Sequence, residues 1–262
     1  MSKKVVAKKK YGQNFLKDES ILHQIIQAMP NTSYPIAEIG PGLGDLTRYL
    51  VKVKSVKAFE VDTDLCQHLE NRFKEEINTK QFSLQCGDVL EHWQSELLDV
   101  EYDLVANLPY YIATNIILKA LADPKCQNIL VMVQKEVALK FAAEASQKVF
   151  CSLSVITQSV ATASIVVEVP PSAFEPQPKI DSAVLLIRKH ATRIVEESGE
   201  KLSFEDMLRA AFSQPRKTMI KNLSSKYDKT KLLDVFDSLE LDVKIRPHQL
   251  TTKLYHQLYT QI

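Results

Sequence analysis

At 262 residues, with 45% hydrophobic and 25% charged side chains, the chain has the make-up of an ordinary globular protein, long enough for one large domain and a small one. No apolar run approaches the roughly 20 residues of a membrane-spanning helix, and the N-terminus, with Lys3, Lys4, Lys8, Lys9 and Lys10, lacks the apolar stretch of a secretory signal. The net charge of +1 is spread unevenly: the first ten residues carry five lysines and no acid, residues 201–262 carry eleven basic against seven acidic residues, and residues 11–200 hold 17 basic and 25 acidic, a net of −8. Basic ends around an acidic middle suit a polyanion gripped at the extremities of the protein. Cys66, Cys86, Cys126 and Cys151 form no C-x-x-C pair and sit in apolar segments. They read as four reduced core thiols of a cytoplasmic protein, neither bridges nor metal ligands.

In chain order, residues 18–29 place Ile21, Leu22, Ile25, Ile26 and Met29 on one helical stripe. Short apolar strands are expected at 36–39, 56–61, 82–85, 102–106 and 129–133, with helices at 46–51, 63–73 and 114–121 between them. Such alternation predicts a parallel sheet covered on both faces. Two β-rich runs, 163–169 and 183–188, are then joined by thirteen residues, too few for a crossover helix, and are expected to form an antiparallel hairpin at the end of the sheet. Their connection holds four prolines, which stiffen it and present Phe174. Residues 189–200 read as a polar linker. Beyond them Ser203 can cap a helix with Asp206 three residues on, and a last helix is expected near 250–259.

Glu38-Ile39-Gly40-Pro41-Gly42-Leu43-Gly44 follows the first of these strands. Its glycines allow a sharp turn and close approach of a ligand to the main chain, Gly40 first among them. A dinucleotide turn would read G-x-G-x-x-G, aimed at pyrophosphate. Here the third glycine comes one residue early, and Glu38 would repel a pyrophosphate but tolerate a zwitterionic amino acid and a sulfonium. Glu60 ends the next strand, where a carboxylate can accept both hydroxyls of a ribose, and Asp88 follows the third, placed to accept from an adenine amine. Three acids at the carboxyl ends of three consecutive strands favour S-adenosylmethionine over a nicotinamide cofactor.

The fourth strand ends in Asn107-Leu108-Pro109-Tyr110. N6 of adenine is a poor nucleophile because its lone pair is delocalised into the ring. Two acceptors for its N–H bonds, the Asn107 side-chain oxygen and the Leu108 carbonyl, draw that nitrogen toward tetrahedral geometry. Tyr110 can stack on one face of the base and Phe174 on the other. Catalysis is then mostly positioning, with no general base required, and methyl transfer to a nucleobase is the leading reading.

With these residues the chain resembles the rRNA adenine dimethyltransferases of the small-subunit type. The likeness runs nearly end to end. It takes in Tyr11-Gly12-Gln13-Asn14-Phe15-Leu16, the Gly40, Glu60, Asp88 and Asn107-Leu108-Pro109-Tyr110 positions, Gln134-Lys135-Glu136-Val137, Val169-Pro170-Pro171-Ser172-Ala173-Phe174 and Pro178-Lys179-Ile180-Asp181-Ser182. Phe212-Ser213-Gln214-Pro215-Arg216-Lys217-Thr218 extends it into the C-terminal region. The resemblance implies a class I S-adenosylmethionine-dependent methyltransferase of Rossmann-like α/β fold, with a seven-stranded mixed sheet over residues 1–190, a basic segment at 1–17, and a small helical RNA-binding domain over 191–262. It implies that Asn14, Leu16 and Asn107 join Gly40, Glu60 and Asp88 at the cofactor, and that Asn107, Leu108, Tyr110 and Phe174 serve the base. Arg216, Lys217 and Lys221 would contact RNA phosphates. The implied activity is N6,N6-dimethylation of two adjacent adenosines in the hairpin loop near the 3′ end of 16S rRNA within the immature 30S subunit, by a cytoplasmic monomer with no metal and no membrane contact.

Two positions depart from the family pattern. Pro215 stands where the first of two arginines is usual, and Cys151-Ser152 stands where Gly-Arg is usual, so RNA affinity or its salt dependence is expected to be reduced. Erythromycin-resistance methylases of 23S rRNA share the chemistry, but the Phe174 loop and the Arg-Lys motif look closer to the small-subunit type. A non-catalytic RNA-binding or ribosome-assembly factor on the same fold would be favoured by damage to Asn107 or Tyr110, and both are intact.

Overall fold

The computed structural model describes residues 13–190 and 203–262; the basic residues of the first ten and the linker at 191–200 lie outside them. A two-residue strand β1 (Phe15–Leu16) leads into helix α1 (Glu19–Ala28), whose first turn is capped by Asp18 accepting from the N–H groups of Ser20 and Ile21. Ile21, Leu22 and Ile25 form its buried face, the stripe read from the sequence. Strands and helices then alternate: β2 (Ile36–Ile39), α2 (Thr47–Leu50), β3 (Val56–Glu60), α3 (Thr63–Arg72), α4 (Lys74–Asn78), β4 (Phe82–Cys86), α5 (Val89–His92), β5 (Tyr102–Asn107), α6 (Ala113–Ala122) and β6 (Cys126–Gln134). β2 is buried at all four positions and β5 at five of six, as strands covered on both faces must be.

Helices α7 (Lys135–Ala142) and α8 (Ser152–Val160) follow, then β7 (Ala161–Val169), a second two-residue strand β8 (Phe174–Glu175) and β9 (Ser182–Lys189). Seven strands make one mixed sheet in the order β4-β3-β2-β5-β6-β9-β7. β2 to β6 are parallel, and β9 runs antiparallel to β6. The chain leaves β2 toward β3 and β4 on one side and returns to β5 on the other, so the switch point lies between β2 and β5, where open α/β sheets bind ligands outside the carboxyl ends of their strands. β1 pairs antiparallel with β8 apart from the main sheet, Phe15 opposite Glu175 and Leu16 opposite Phe174.

The chain divides into two compact units. The first runs to Ala138 and takes in Ser164–Lys189; the second combines Leu139–Ala163 with His190–Ile262. This differs from the division at 190 read from the sequence, because residues 139–163 group with the C-terminal helices. The second unit holds α9 (Phe204–Ala211), α10 (Met219–Leu223), α11 (Lys229–Ser238) and α12 (Thr252–Gln261). Phe150 and Val155 share a buried cluster there with Met207, Leu223, Phe236, Leu250 and Tyr255. Ser203 caps α9 through Asp206 N–H at 3.1 Å, whereas α12 starts at Thr252 behind a Thr251 cap, leaving Leu250 outside the helix and buried.

The reading of four reduced thiols does not hold for Cys66 and Cys86, which the structure joins in a disulfide with Cα atoms 6.2 Å apart. Parallel register sets Cys86 beside Glu60, and α3, entered within two residues of Glu60, turns Cys66 back over the same strand ends. Cys86 is exposed at the end of β4, so it is no core thiol. Cys126 is buried and Cys151 half-buried, both free.

Candidate active site

The turns after β2, β3, β4 and β5 line one cleft, with Gln13, Asn14, Phe15 and Leu16 from the N-terminal segment along its edge. Gly40 (φ +69°) and Gly44 (φ +81°) take left-handed backbone angles that side chains resist. A Cβ on Gly44 would lie 2.5 Å from the Phe73 ring, so this glycine also lets the turn pack down on α3. Gly40 lies in the cleft wall, anchored by its N–H to the Phe59 carbonyl at 2.8 Å.

Glu60 is 4% exposed. Its Oε2 accepts Gly42 N–H at 3.1 Å and its Oε1 accepts Asp62 N–H at 3.0 Å, which fixes the carboxylate between two turns. Each oxygen keeps a further lone pair for a ligand hydroxyl. Burial pushes its pKa up, opposed by those two N–H donors. Glu38 is 1% exposed and accepts from Thr47 Oγ1 at 2.7 Å. Burial pushes its carboxyl to a pKa of about 8, with the Thr47 bond opposing and the nearby Glu60 charge adding to the rise. Asp88 lies on the cleft and spends its Oδ1 on capping α5 through Leu90 N–H at 2.9 Å.

Asn107 ends β5 and its Nδ2 donates to the Asn14 carbonyl at 3.2 Å. A carbonyl can only accept, so the amide NH₂ faces the N-terminal segment and Oδ1 is turned away as an acceptor. Leu108 N–H donates to the Met132 carbonyl at 3.1 Å, setting the following peptide against the end of β6. Tyr110 is half-buried on the cleft wall, and its hydroxyl is hydrogen-bonded to Ser182 Oγ at 2.6 Å.

Asn14, Leu16, Gly40, Glu60, Asp88, Asn107, Leu108 and Tyr110 therefore come together from five segments of the chain. Phe174 does not join them. It is 3% exposed and belongs to the core cluster that also holds Leu16, Ile21 and Leu22. Directly opposed residues of an antiparallel pair share a face, and the register Leu16 to Phe174 sends both side chains inward. Phe174 therefore lies in the core and off the cleft wall, where the sequence reading expects a stacking face for a base. The aromatic residues on the cleft besides Tyr110 are Phe15, Phe59 and Tyr111, the last 62% exposed. Phe15 and Tyr111 went unassigned in the sequence although each adjoins a motif residue; Val61 and Leu90, one and two positions past Glu60 and Asp88, were missed because single apolar residues carry no signal of their own.

In the second unit Arg216 and Lys217 lie on the exposed connection between α9 and α10, and Lys221 is exposed on α10. Among the described residues none of the three makes an ion pair, no three His, Cys, Asp or Glu side chains gather as a metal site, and no helix is long and apolar enough to cross a membrane. Where Gly-Arg is usual, Cys151 caps α8 and its N–H donates to Ser154 Oγ at 3.1 Å.

A seven-stranded mixed sheet with β9 reversed, a glycine turn after the first parallel strand and a cleft at the switch point define a class I methyltransferase fold. The fold is shared with a dimethyladenosine transferase from Plasmodium falciparum (TM-score 0.79, 23% identity, 93% of this chain and 95% of that one). The 23S rRNA methyltransferase ErmE shares it as well (TM-score 0.72, 24% identity, 95% and 99%). The ribosomal RNA adenine dimethylase family model matches residues 5–262, and the chain belongs to that family. Its relatives include the ribosomal RNA small subunit methyltransferase A of Sulfurimonas denitrificans, 68% identical over 98% of this chain and 94% of that one. The protein of the same name from Aliarcobacter butzleri is 48% identical over 99% and 97%.

Proposed function

We propose that this enzyme dimethylates N6 of two adjacent adenosines in the hairpin loop near the 3′ end of 16S rRNA, on the immature 30S subunit, acting as a cytoplasmic monomer. The observation that carries the reading is the Asn107 amide held by the Asn14 carbonyl, with Oδ1 left as acceptor beside the anchored Leu108 peptide. A planar amine offers two N–H bonds, and two acceptors on consecutive residues suit an exocyclic amine better than a hydroxyl or a ring nitrogen. The identity to small subunit methyltransferase A proteins favours 16S over 23S rRNA, the ErmE likeness being one of fold.

The cleft fits S-adenosylmethionine as methyl donor. Gly40 leaves the main chain bare where a ligand approaches, Glu60 offers lone pairs to a ribose, and Val61 and Leu90 supply apolar walls for a flat purine near Asp88. When bound, S-adenosylmethionine supplies an electrophilic methyl group on a sulfonium. Asn107 Oδ1 and the Leu108 carbonyl accept the amine protons and turn the nitrogen lone pair away from the ring, while Tyr110 holds the base by one face. Asn14 and Leu16 close the cleft over the donor. Water takes the proton that the nitrogen sheds, since an amine bearing a fourth substituent is acidic. Arg216, Lys217 and Lys221 hold phosphates of the RNA, and the C-terminal helices serve as its docking domain.

Transfer of labelled methyl groups from S-adenosylmethionine to immature 30S subunits, followed by mass spectrometry of digested rRNA, tests the reading. Dimethyladenosine at two neighbouring positions of 16S rRNA is the expected product, lost in Asn107→Ala. Methylation of 23S rRNA instead would assign the chain to the resistance methylases, and no transfer to either RNA would leave a binding factor.

A further inference from the structure

Ser182 is the first residue of β9 and fully buried. In a wholly parallel sheet the first residue of a strand lies at the edge away from the ligand cleft. β9 is reversed against β6, with Ser182 opposite Gln134, the last residue of β6, so its first residue comes to the carboxyl edge. The Asp181 carbonyl, accepting Lys135 N–H at 3.0 Å, fixes this corner. Tyr110 follows β5, which is separated from β9 in the sheet by β6. Its hydroxyl reaches over the end of β6 to Ser182 Oγ at 2.6 Å, and neither oxygen has another hydrogen-bond partner among the described residues. The chain thus brings one buried hydroxyl from outside the cleft wall to the far tip of one cleft aromatic.

A tyrosine ring held only at its Cβ swings about two side-chain torsions. A second anchor at the hydroxyl fixes both the plane of the ring and its height above the cleft. We propose that Ser182 is a positioning residue for methyl transfer, holding the Tyr110 ring in the plane on which the target adenine stacks. The proposal rests on the reading of Tyr110 as the base platform. The amine must sit in line with the methyl donor, and an error near 1 Å in such placement costs on the order of 100-fold in rate. Loss of one of the two anchors of the ring is a smaller disturbance, worth about tenfold, the rate equivalent of one hydrogen bond.

The test is a double-mutant cycle on the full-length protein with immature 30S subunits as substrate. It reads the single-turnover methylation rate, S-adenosylmethionine affinity by calorimetry and the thermal midpoint. Ser182→Ala and Tyr110→Phe each remove one hydroxyl of the pair. Each is expected to slow transfer about tenfold with cofactor affinity unchanged, the midpoint serving to show that each variant is folded at the assay temperature, and the double variant is expected to be no slower than the slower single. If Ser182→Ala slows the Tyr110→Phe enzyme by the same factor as the wild type, Ser182 acts through something other than the tyrosine hydroxyl and the proposal falls. It falls equally if Ser182→Ala reacts at the wild-type rate. Tyr110→Ala separates this from failure of the underlying reading: a severe loss in that variant keeps the base platform whatever becomes of Ser182, and a wild-type rate removes both.

Discussion

Phe174→Ala separates a packing role for this ring from a role at the base. Were the ring a stacking face for the base, its removal would leave stability intact, impair the second methylation more than the first and let monomethyladenosine accumulate. The structure gives a different expectation. The side chain is 3% exposed within the core and lies opposite Leu16 in the β1–β8 pair. Truncating a buried phenylalanine costs about 3–5 kcal/mol, or on the order of 10 °C in Tm for a unit of this size. A second effect follows from position. β8 and the Ala173 carbonyl, which accepts Lys17 N–H at 2.8 Å, tether the segment whose residues Gln13 to Leu16 line the cleft. Loosening it is expected to weaken S-adenosylmethionine by about tenfold, roughly 1.4 kcal/mol. Urea denaturation and calorimetric titration read these two quantities, and mass spectrometry of the product reads the ratio of mono- to dimethyladenosine. Unchanged stability and cofactor affinity together with a build-up of monomethyladenosine would refute the core assignment and return the ring to the base.

Glu60→Ala is expected to weaken S-adenosylmethionine binding by about 1–3 kcal/mol, since the ribose hydroxyls and the N–H groups of Gly42 and Asp62 lose a shared acceptor; unchanged affinity in calorimetry would remove Glu60 from the site. Glu38 holds its proton in the folded state to a pKa of about 8, against 4.5 for an unperturbed glutamate. The unfolded chain therefore releases that proton first, and stability without ligand should fall as pH rises from about 4.5 to about 8. Glu38→Gln keeps an acceptor for Thr47 and should flatten that slope in denaturant midpoints measured from pH 5 to 9. Neutral replacement of Arg216 and Lys217 should weaken RNA binding and lower the dependence of log K on log salt by roughly 1.5, about 0.7–0.9 for each phosphate no longer neutralised; an unaltered slope would make them a solvated surface. Thiol titration of the denatured, unreduced protein should find Cys126 and Cys151 alone, with Cys66 and Cys86 reacting only after reduction.

What could be read beforehand was whatever rests on short-range pattern and strand order. The apolar stripe over residues 18–29 announced α1, and the apolar runs marked each parallel strand to within a few residues. Glu60, Asp88 and Asn107 were legible as one site because each closes or follows a parallel strand, and the carboxyl ends of such strands share an edge. Contacts set by register and tertiary pairing were not legible. Cys66 and Cys86 are twenty residues apart and look like unrelated apolar positions until the register of β3 and β4 puts Cys86 beside Glu60. Residues 139–163 carry ordinary helical sequence, and nothing local says that Phe150 and Val155 pack with helices from the far end of the chain.

Phe174 and Ser182 tie the connection between β7 and β9 to the cleft by contacts that local pattern does not announce. Its prolines do stiffen it, and stiffness in a loop near a site invites a functional role for the one aromatic it carries. A single residue of register in a two-residue strand decides instead which way that aromatic faces; with Leu16 opposite it, Phe174 goes into the core. The same loop delivers Ser182, the last residue of the Pro178–Ser182 motif and one to which the motif assigns no role, to the carboxyl edge of the sheet because β9 is reversed. The loop's bearing on the site thus runs through two indirect supports, one under the N-terminal segment at Leu16 and one behind Tyr110. Substitutions along it should disturb the cleft through those two residues, Phe174 altering stability and cofactor affinity and Ser182 altering the rate of transfer without altering cofactor affinity.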